Sequence, residues 1–145
     1  MKKNLRSTLL ISLLLGSLLL SACAANGNSL ESTSWEMTSY RDANGDMTDK
    51  LPDSVVTIQF QSADVSGIAG CNNYSGSYEV DGKKLTFGPL ATTRQACATP
   101  LGVMEQENAY LAALSQVQSY KQSAKSLEMQ DEKGKTVLVF APVGQ

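Results

Sequence analysis

The sequence contains no histidine. Histidine is the commonest general base, the commonest transition-metal ligand and the usual partner of a serine or cysteine nucleophile. Its absence argues against hydrolytic and metalloenzyme chemistry. The sequence therefore predicts a protein that is not an enzyme and that has no cofactor and no metal site.

An excess of positive charge is also missing. The 145-residue chain has 12 basic and 14 acidic side chains, and three of the basic ones, Lys2, Lys3 and Arg6, lie at its start. Residues 23–145 therefore carry a net charge of −5. A chain of that sign offers no broad surface for nucleic acid and no polybasic patch for anionic lipid. We expect no nucleic-acid partner, and membrane attachment has to come from a covalent lipid.

The beginning of the chain is typical of an export signal. Residues 9–20 form an apolar stretch behind a basic start, shorter than the roughly 20 residues that span a membrane. The stretch ends in Leu20-Ser21-Ala22-Cys23, which resembles the lipobox of bacterial lipoproteins. It predicts that residues 1–22 are removed and that Cys23 becomes the lipidated first residue. The alternative is an ordinary signal peptide that happens to contain a cysteine.

The residues after Cys23 suggest where the protein resides. Ala24 follows the lipid site, and in sorted lipoproteins of Gram-negative bacteria a residue other than aspartate there implies the outer membrane. Residues 23–32 are small and polar, as expected of a lipidated N-terminus and tether. Residues 33–145 are enough for one domain. We expect a monomer anchored in the outer membrane, with this domain facing the periplasm.

Most of the domain has the pattern of short strands. Val56, Ile58 and Phe60 alternate with polar residues, which places them on one face of a strand. Asn44-Gly45 and Asp81-Gly82 are strong hairpin signals.

One helix interrupts the strands. Pro100 is expected at its first turn, and the apolar residues recur at helical spacing and predict a face that packs on a sheet: Val103, Tyr110, Leu114 and Val117, with Met104 and Leu111 beside them. The fold class is α+β, a strongly curved antiparallel β-sheet, or partial barrel, with one packed α-helix.

Two segments carry a distinctive pattern. Residues 66–78 read SGIAGCNNYSGSY, and residues 85–97 read LTFGPLATTRQAC. This pattern resembles the META domain family of HslJ-like lipoproteins over essentially the whole domain. The resemblance implies an antiparallel sheet curved towards a barrel, with a helix against it. It also implies a role in envelope stress, novobiocin resistance, or motility or secretion, and no established catalytic site. The family often has arginine at the position of Asn73.

Once Cys23 is lipidated, Cys71 and Cys97 are the only thiols left, and export places them in an oxidising compartment. We expect them to form a disulfide, the alternative being two buried free thiols. The neighbouring residues Asn72, Asn73 and Tyr74 form either a ligand loop or a set of tight turns.

Two further segments have open interpretations. Arg94 is expected to bind an anion or to pair with an acid or carbonyl beside Cys97. The run from Asp42 to Asp53 faintly resembles a calcium loop, but the glycine expected at position six is Met47, so a hairpin explains it better.

For function, the sequence predicts a non-enzymatic envelope lipoprotein that binds a protein or a lipid-like partner. The expected working surface is a slot between the sheet and residues 103–117, with Met104 on its rim. The alternative for that helix is that core packing consumes its apolar face. The alternative function is an inhibitor of envelope proteases, and a protruding loop at residues 72–74 would favour it.

Overall fold

The computed structural model describes residues 30–144, so Cys23 and residues 1–29 lie outside the described part of the chain. The described part contains ten strands and one helix: β1 (Thr33–Arg41), β2 (Met47–Asp49), β3 (Thr57–Gln61), β4 (Asp64–Ile68), β5 (Asn73–Asp81), β6 (Lys84–Phe87), β7 (Ala91–Thr92), α1 (Val103–Ser115), β8 (Ser119–Gln122), β9 (Leu127–Gln130) and β10 (Thr136–Pro142). Both predicted hairpins are present, with Gly45 (φ 90°) and Gly82 (φ 61°) in their turns.

Eight of the strands close into an antiparallel barrel in the order β1-β3-β4-β5-β6-β8-β9-β10. The closing pair is β1 with β10, which runs from Trp35 opposite Pro142 to Tyr40 opposite Leu138. The α+β class is confirmed, but the sheet is more closed than the predicted partial barrel. The nine residues of β1 pair with β2 and β3 along one side and with β10 along the other, so the sheet has no free edge at this seam.

Large side chains fill the barrel. Met37, Ile58, Phe60 and Leu85 are fully buried, and Phe140 is almost so. They alternate with more exposed residues along their strands, as the period of a strand requires. An interior filled by side chains is the usual state of an eight-stranded barrel.

The helix starts later than predicted. It begins at Val103, after a cis Thr99–Pro100 peptide and after Gly102 (φ 86°) at its N-cap. Pro100 is therefore outside the helix, because the left-handed Gly102 turns the chain between the proline and the first helical residue. Val103, Tyr110 and Leu114 face the core as predicted, and α1 lies against β1, β10 and β6.

The folded domain includes residues before Thr33. Leu30 is buried, and the Glu31 carboxylate accepts hydrogen bonds from the Ser62 N–H and the Tyr78 hydroxyl. The turns that join β3 to β4, β5 to β6 and β8 to β9 lie at this same end of the barrel. Leu30 and Glu31 therefore lie at the end of the barrel opposite the β1–β2 and β9–β10 hairpins. Within residues 30–144, no helix is long and apolar enough to cross a membrane.

Candidate functional site

An apolar cleft separates α1 from the segment that follows β6. Phe87, Pro89 and Leu90 form one wall and Leu111 the other, with Gly88 and the hydroxyl-bearing Thr92 and Ser115 completing the lining. Its volume is about 480 Å³. We call it the β7 cleft, because β7 forms the end of its first wall. The cleft lies between the sheet and residues 103–117, where the sequence predicts a slot with Met104 on its rim.

Gly76 on β5 lets this wall sit close to the barrel. A Cβ atom at position 76 would lie 2.7 Å from Leu90 Cδ2 and 2.8 Å from the Pro89 carbonyl oxygen. The backbone of Pro89 cannot move as a flexible side chain can. Gly76 is therefore required by the close approach of the Pro89–Leu90 backbone.

Asn72 is a buried structural residue. Its Nδ2 donates to Glu107 Oε1 (2.7 Å) and to the Gln95 carbonyl (3.1 Å). Its Oδ1 accepts from the Gln95 N–H (2.7 Å) and the Thr93 hydroxyl (2.8 Å). These bonds use both ends of the amide, so Asn72 has no capacity left for a ligand.

Glu107 completes this network, which we call the Asn72–Glu107 clamp. Its Oε2 accepts the backbone N–H groups of Cys71 (3.1 Å) and Asn72 (2.7 Å). Glu107 is itself buried on α1. The clamp therefore fixes the helix, the loop before β5 and the segment after β7 relative to one another. Glu107 cannot be recognised as a structural residue from the sequence, because nothing in its local pattern marks its partners.

Cys71 and Cys97 are joined by a disulfide with a Cα–Cα distance of 5.9 Å. It joins two of the three segments that the clamp connects, the loop before β5 and the segment after β7. The segment that carries β7 is thus held by one covalent and several hydrogen-bonded links.

Tyr74 and Asn73 do not form a protruding loop. The Tyr74 hydroxyl is buried, donates to the Thr57 carbonyl (2.9 Å) and lies 2.7 Å from the Tyr110 hydroxyl. Burial raises the pKa of both tyrosines. Asn73 is exposed, but its N–H donates to the Thr93 hydroxyl and its carbonyl accepts the Thr93 N–H. The protruding feature that would favour a protease inhibitor is therefore missing at residues 72–74.

Arg94 does not make its predicted pairing, and Met104 does not lie on the rim of the cleft. Arg94 is exposed and makes no ion pair or hydrogen bond with any residue in 30–144, so the predicted pairing beside Cys97 is wrong. Met104 is half-buried and does not line the β7 cleft. It lies about two helical turns before Leu111 and about three before Ser115, and these two residues form that rim instead.

A second groove runs along the other side of α1. Its volume is about 650 Å³. Ala109, Ala112 and Val137 form its floor, and the β1–β2 hairpin borders it. Asp42 Oδ1 in that hairpin accepts the N–H groups of Asn44 and Asp46, as an Asx turn does. Among the described residues, no cluster of three or more metal-ligating side chains occurs.

The sequence from residue 28 to residue 143 matches the META domain family. The chain is a META domain protein. A comparison with curated proteins gives no significant match. A solved NMR structure of a protein from Burkholderia xenovorans is 30% identical, with a TM-score of 0.65 over 80% of this chain and 85% of that one.

Two more distant structures share the barrel. One is a crystal structure of a DUF4847 family protein from Bacteroides vulgatus, with 19% identity and a TM-score of 0.53 over 76% of this chain and 92% of that one. The other is a lipocalin-like protein from Bacteroides uniformis, with 20% identity and a TM-score of 0.50 over 78% and 99%. At these identities the likeness concerns the fold alone. The META domain protein has its barrel axis filled by side chains, so its candidate site lies outside the barrel.

Proposed function

We propose that this META domain protein is a non-enzymatic envelope lipoprotein that binds an apolar ligand or partner segment in the β7 cleft. The observation that carries the proposal is the cleft itself, an apolar space between α1 and residues 87–92. Its volume falls within the roughly 300–1,000 Å³ range of small-molecule sites. Its lining combines apolar walls with two hydroxyl groups, Thr92 and Ser115.

The cleft is also preorganised. The disulfide and the Asn72–Glu107 clamp hold residues 93–97, which directly follow β7. Before β7, the Gly88 N–H donates to the Ser77 carbonyl. A wall that is already fixed loses little conformational entropy when a ligand binds. This supports a binding role over a purely packed surface, because a stable apolar recess that remains open needs such support.

The cellular part of the proposal rests on the leader and on the family. The lipobox-like Leu20-Ser21-Ala22-Cys23 supports a diacylglyceryl anchor, and two or more acyl chains give stable attachment. The resemblance to HslJ-like proteins supports a role in envelope stress, drug tolerance or secretion. The protease-inhibitor alternative loses support, because Asn72 and Tyr74 are buried.

A fluorescent apolar probe tests the cleft. Anilinonaphthalene sulfonate is expected to bind a soluble form made of residues 24–145 and to increase in fluorescence. Replacing Leu111→Gln puts an amide into the cleft wall and should weaken probe binding about tenfold or more, since removing apolar contact area costs about 25 cal/mol per Å². The matched control is Leu101→Gln, because Leu101 is 91% exposed and does not line the cleft. Equal probe binding by both variants would contradict the proposed site.

Fractionation of cells tests the anchor. Cys23→Ser removes the thiol that would accept the lipid, so the protein should move from the membrane fraction to the soluble fraction. Cys71→Ser serves as the control, because that cysteine belongs to the disulfide. Membrane association that survives Cys23→Ser would rule out lipid anchoring at this residue.

A further inference from the structure

One wall of the β7 cleft offers unpaired backbone groups. Among residues 30–144, β7 pairs only with β5, where Thr92 lies opposite Tyr74 and Ala91 opposite Ser75. The Thr93 N–H donates to the Asn73 carbonyl. Since hydrogen-bonded and non-hydrogen-bonded pairs alternate along an antiparallel ladder, the N–H and C=O of Thr92 point away from β5.

No strand among the described residues occupies the far side of β7. The next strand around the barrel, β8, begins at Ser119 and pairs with β6 only at Lys84. A further bond joins the Leu85 N–H to the Gln118 carbonyl. Beyond that point α1 takes the place of a strand, and the β7 cleft separates it from residues 87–92. Within residues 30–144, the sheet therefore has no strand hydrogen-bonded to the outer edge of β7 at the cleft.

An open strand edge beside an apolar recess favours one class of occupant. An extended peptide pairs its backbone with the edge and places alternate side chains towards the recess, which is the usual mode of strand addition. A fatty chain fills the recess but leaves the Thr92 N–H and C=O without protein partners. Backbone complementarity therefore favours a peptide over a lipid.

Arg94 supplies a matching charge. It follows Thr92 by two residues, a step of roughly 6.6 Å in an extended chain. Its side chain is exposed and has no partner among residues 30–144. A free cation at the end of the open edge favours an acidic side chain at the corresponding end of the bound peptide.

We propose that the β7 cleft binds an extended peptide segment by strand addition to the free edge at Thr92, with an apolar side chain between Leu90 and Leu111 and an acidic side chain at Arg94. This inference rests on the proposed function, because it names the occupant of the same cleft. It predicts that recognition depends on backbone hydrogen bonds and on one charge, as well as on apolar contact.

The probe for this test is the peptide acetyl-Thr-Val-Thr-Leu-Thr-Glu-amide, added to the soluble form made of residues 24–145. Hydrogen exchange followed by NMR should show the Thr92 amide slowed about tenfold or more at saturation, since a new hydrogen bond protects it. Two N-methylated peptides, methylated at alternate residues in the two possible frames, provide the matched pair. Methylation in the frame that faces β7 should weaken binding about tenfold, and methylation in the other frame should change it little.

Charge exchange tests the role of Arg94. Arg94→Glu should weaken binding of the glutamate peptide several-fold, and a peptide ending in lysine should restore it. Lys133→Glu is the control, because Lys133 is also exposed but lies in the β9–β10 hairpin. Binding that does not respond to the exchange at residue 94 would overturn the assignment of the acidic side chain.

The outcomes separate this inference from the proposed function. If anilinonaphthalene sulfonate binds in a Leu111-dependent way but the peptide neither binds nor protects Thr92, the cleft is a ligand site and strand addition is wrong. If neither probe binds, both proposals fail. Peptide-induced protection at β2 in place of Thr92, or tolerance of N-methylation in both frames, also overturns strand addition.

Discussion

Glu107→Gln is the sharpest test of how the candidate site is held together. The carboxylate accepts three hydrogen bonds, from two backbone N–H groups at 3.1 and 2.7 Å and from Asn72 Nδ2 at 2.7 Å. An amide of the same shape has only one acceptor atom. Its NH₂ group must face either the two backbone donors or Asn72 Nδ2, and each choice brings two donors together.

Rotating the Asn72 amide does not relieve this conflict. Its oxygen already accepts from the Gln95 N–H and the Thr93 hydroxyl, so the flip would place its NH₂ against those two donors. At least one buried donor therefore stays unsatisfied, which costs about 1–3 kcal/mol, and the remaining bonds lose their charge assistance. We expect a total loss of about 2–4 kcal/mol in the free energy of unfolding.

Urea denaturation measures this loss. The protein has a single tryptophan, Trp35, which is buried in the core and reports unfolding by fluorescence. Glu105→Gln is the matched control, because Glu105 is exposed in the first turn of the same helix; its change should stay within about 0.5 kcal/mol. If both variants unfold at the same urea concentration with the same slope, the clamp contributes nothing to stability and our account of it is wrong.

Three further predictions follow from the same contacts. Gly76→Ala should destabilise the fold by about 1–3 kcal/mol and reduce anilinonaphthalene sulfonate binding, because its Cβ would displace the Pro89 backbone; unchanged probe titrations would contradict this. Removing the disulfide with Cys71→Ser and Cys97→Ser should lower the free energy of unfolding by about 3.5 kcal/mol in the chain-entropy model. In the parent protein, mass spectrometry without reduction should find that neither Cys71 nor Cys97 is alkylated. Burial and the Glu31 carboxylate raise the pKa of Tyr78 to about 12. The pKa of tyrosine in an unfolded chain is about 10. Because the pKa is higher in the folded state, the protonated Tyr78 stabilises the fold fully below about pH 10, and this contribution is lost as the pH rises towards 12. Urea midpoints of Tyr78→Phe should therefore fall less over that range than those of the parent protein.

The local elements follow largely from local sequence. The alternation of Val56, Ile58 and Phe60 predicts the strand that contains two of them, and the Asn44-Gly45 and Asp81-Gly82 pairs predict hairpins that the structure contains. The buried face of α1 also follows from its spacing. These features depend on residues a few positions apart, so a short window of sequence contains all the information.

The site residues depend on contacts between distant parts of the chain. From the sequence, Asn72 belongs either to a ligand loop or to a tight turn, and Glu107, 35 positions away, engages its side chain in a structural network. The sequence predicts a slot between the sheet and residues 103–117, but the walls of the β7 cleft come from residues 87–92 and from Leu111 and Ser115, and Met104 is not among them. Nothing in the local pattern around Leu90 or Leu111 distinguishes a cleft wall from a core residue.

The sequence by itself determined the family, the strand-rich class, the hairpins and the apolar face of the helix, because each depends on periodicity, turn residues or a contiguous motif. Only the tertiary structure decided that the sheet closes, since the β1–β10 pair joins residues about a hundred positions apart and its register has no local signal. It also decided that α1 lies beside β7, at the place where the next strand of the sheet would otherwise lie. A cleft is a space between elements, and its position is fixed by long-range packing that no single segment encodes.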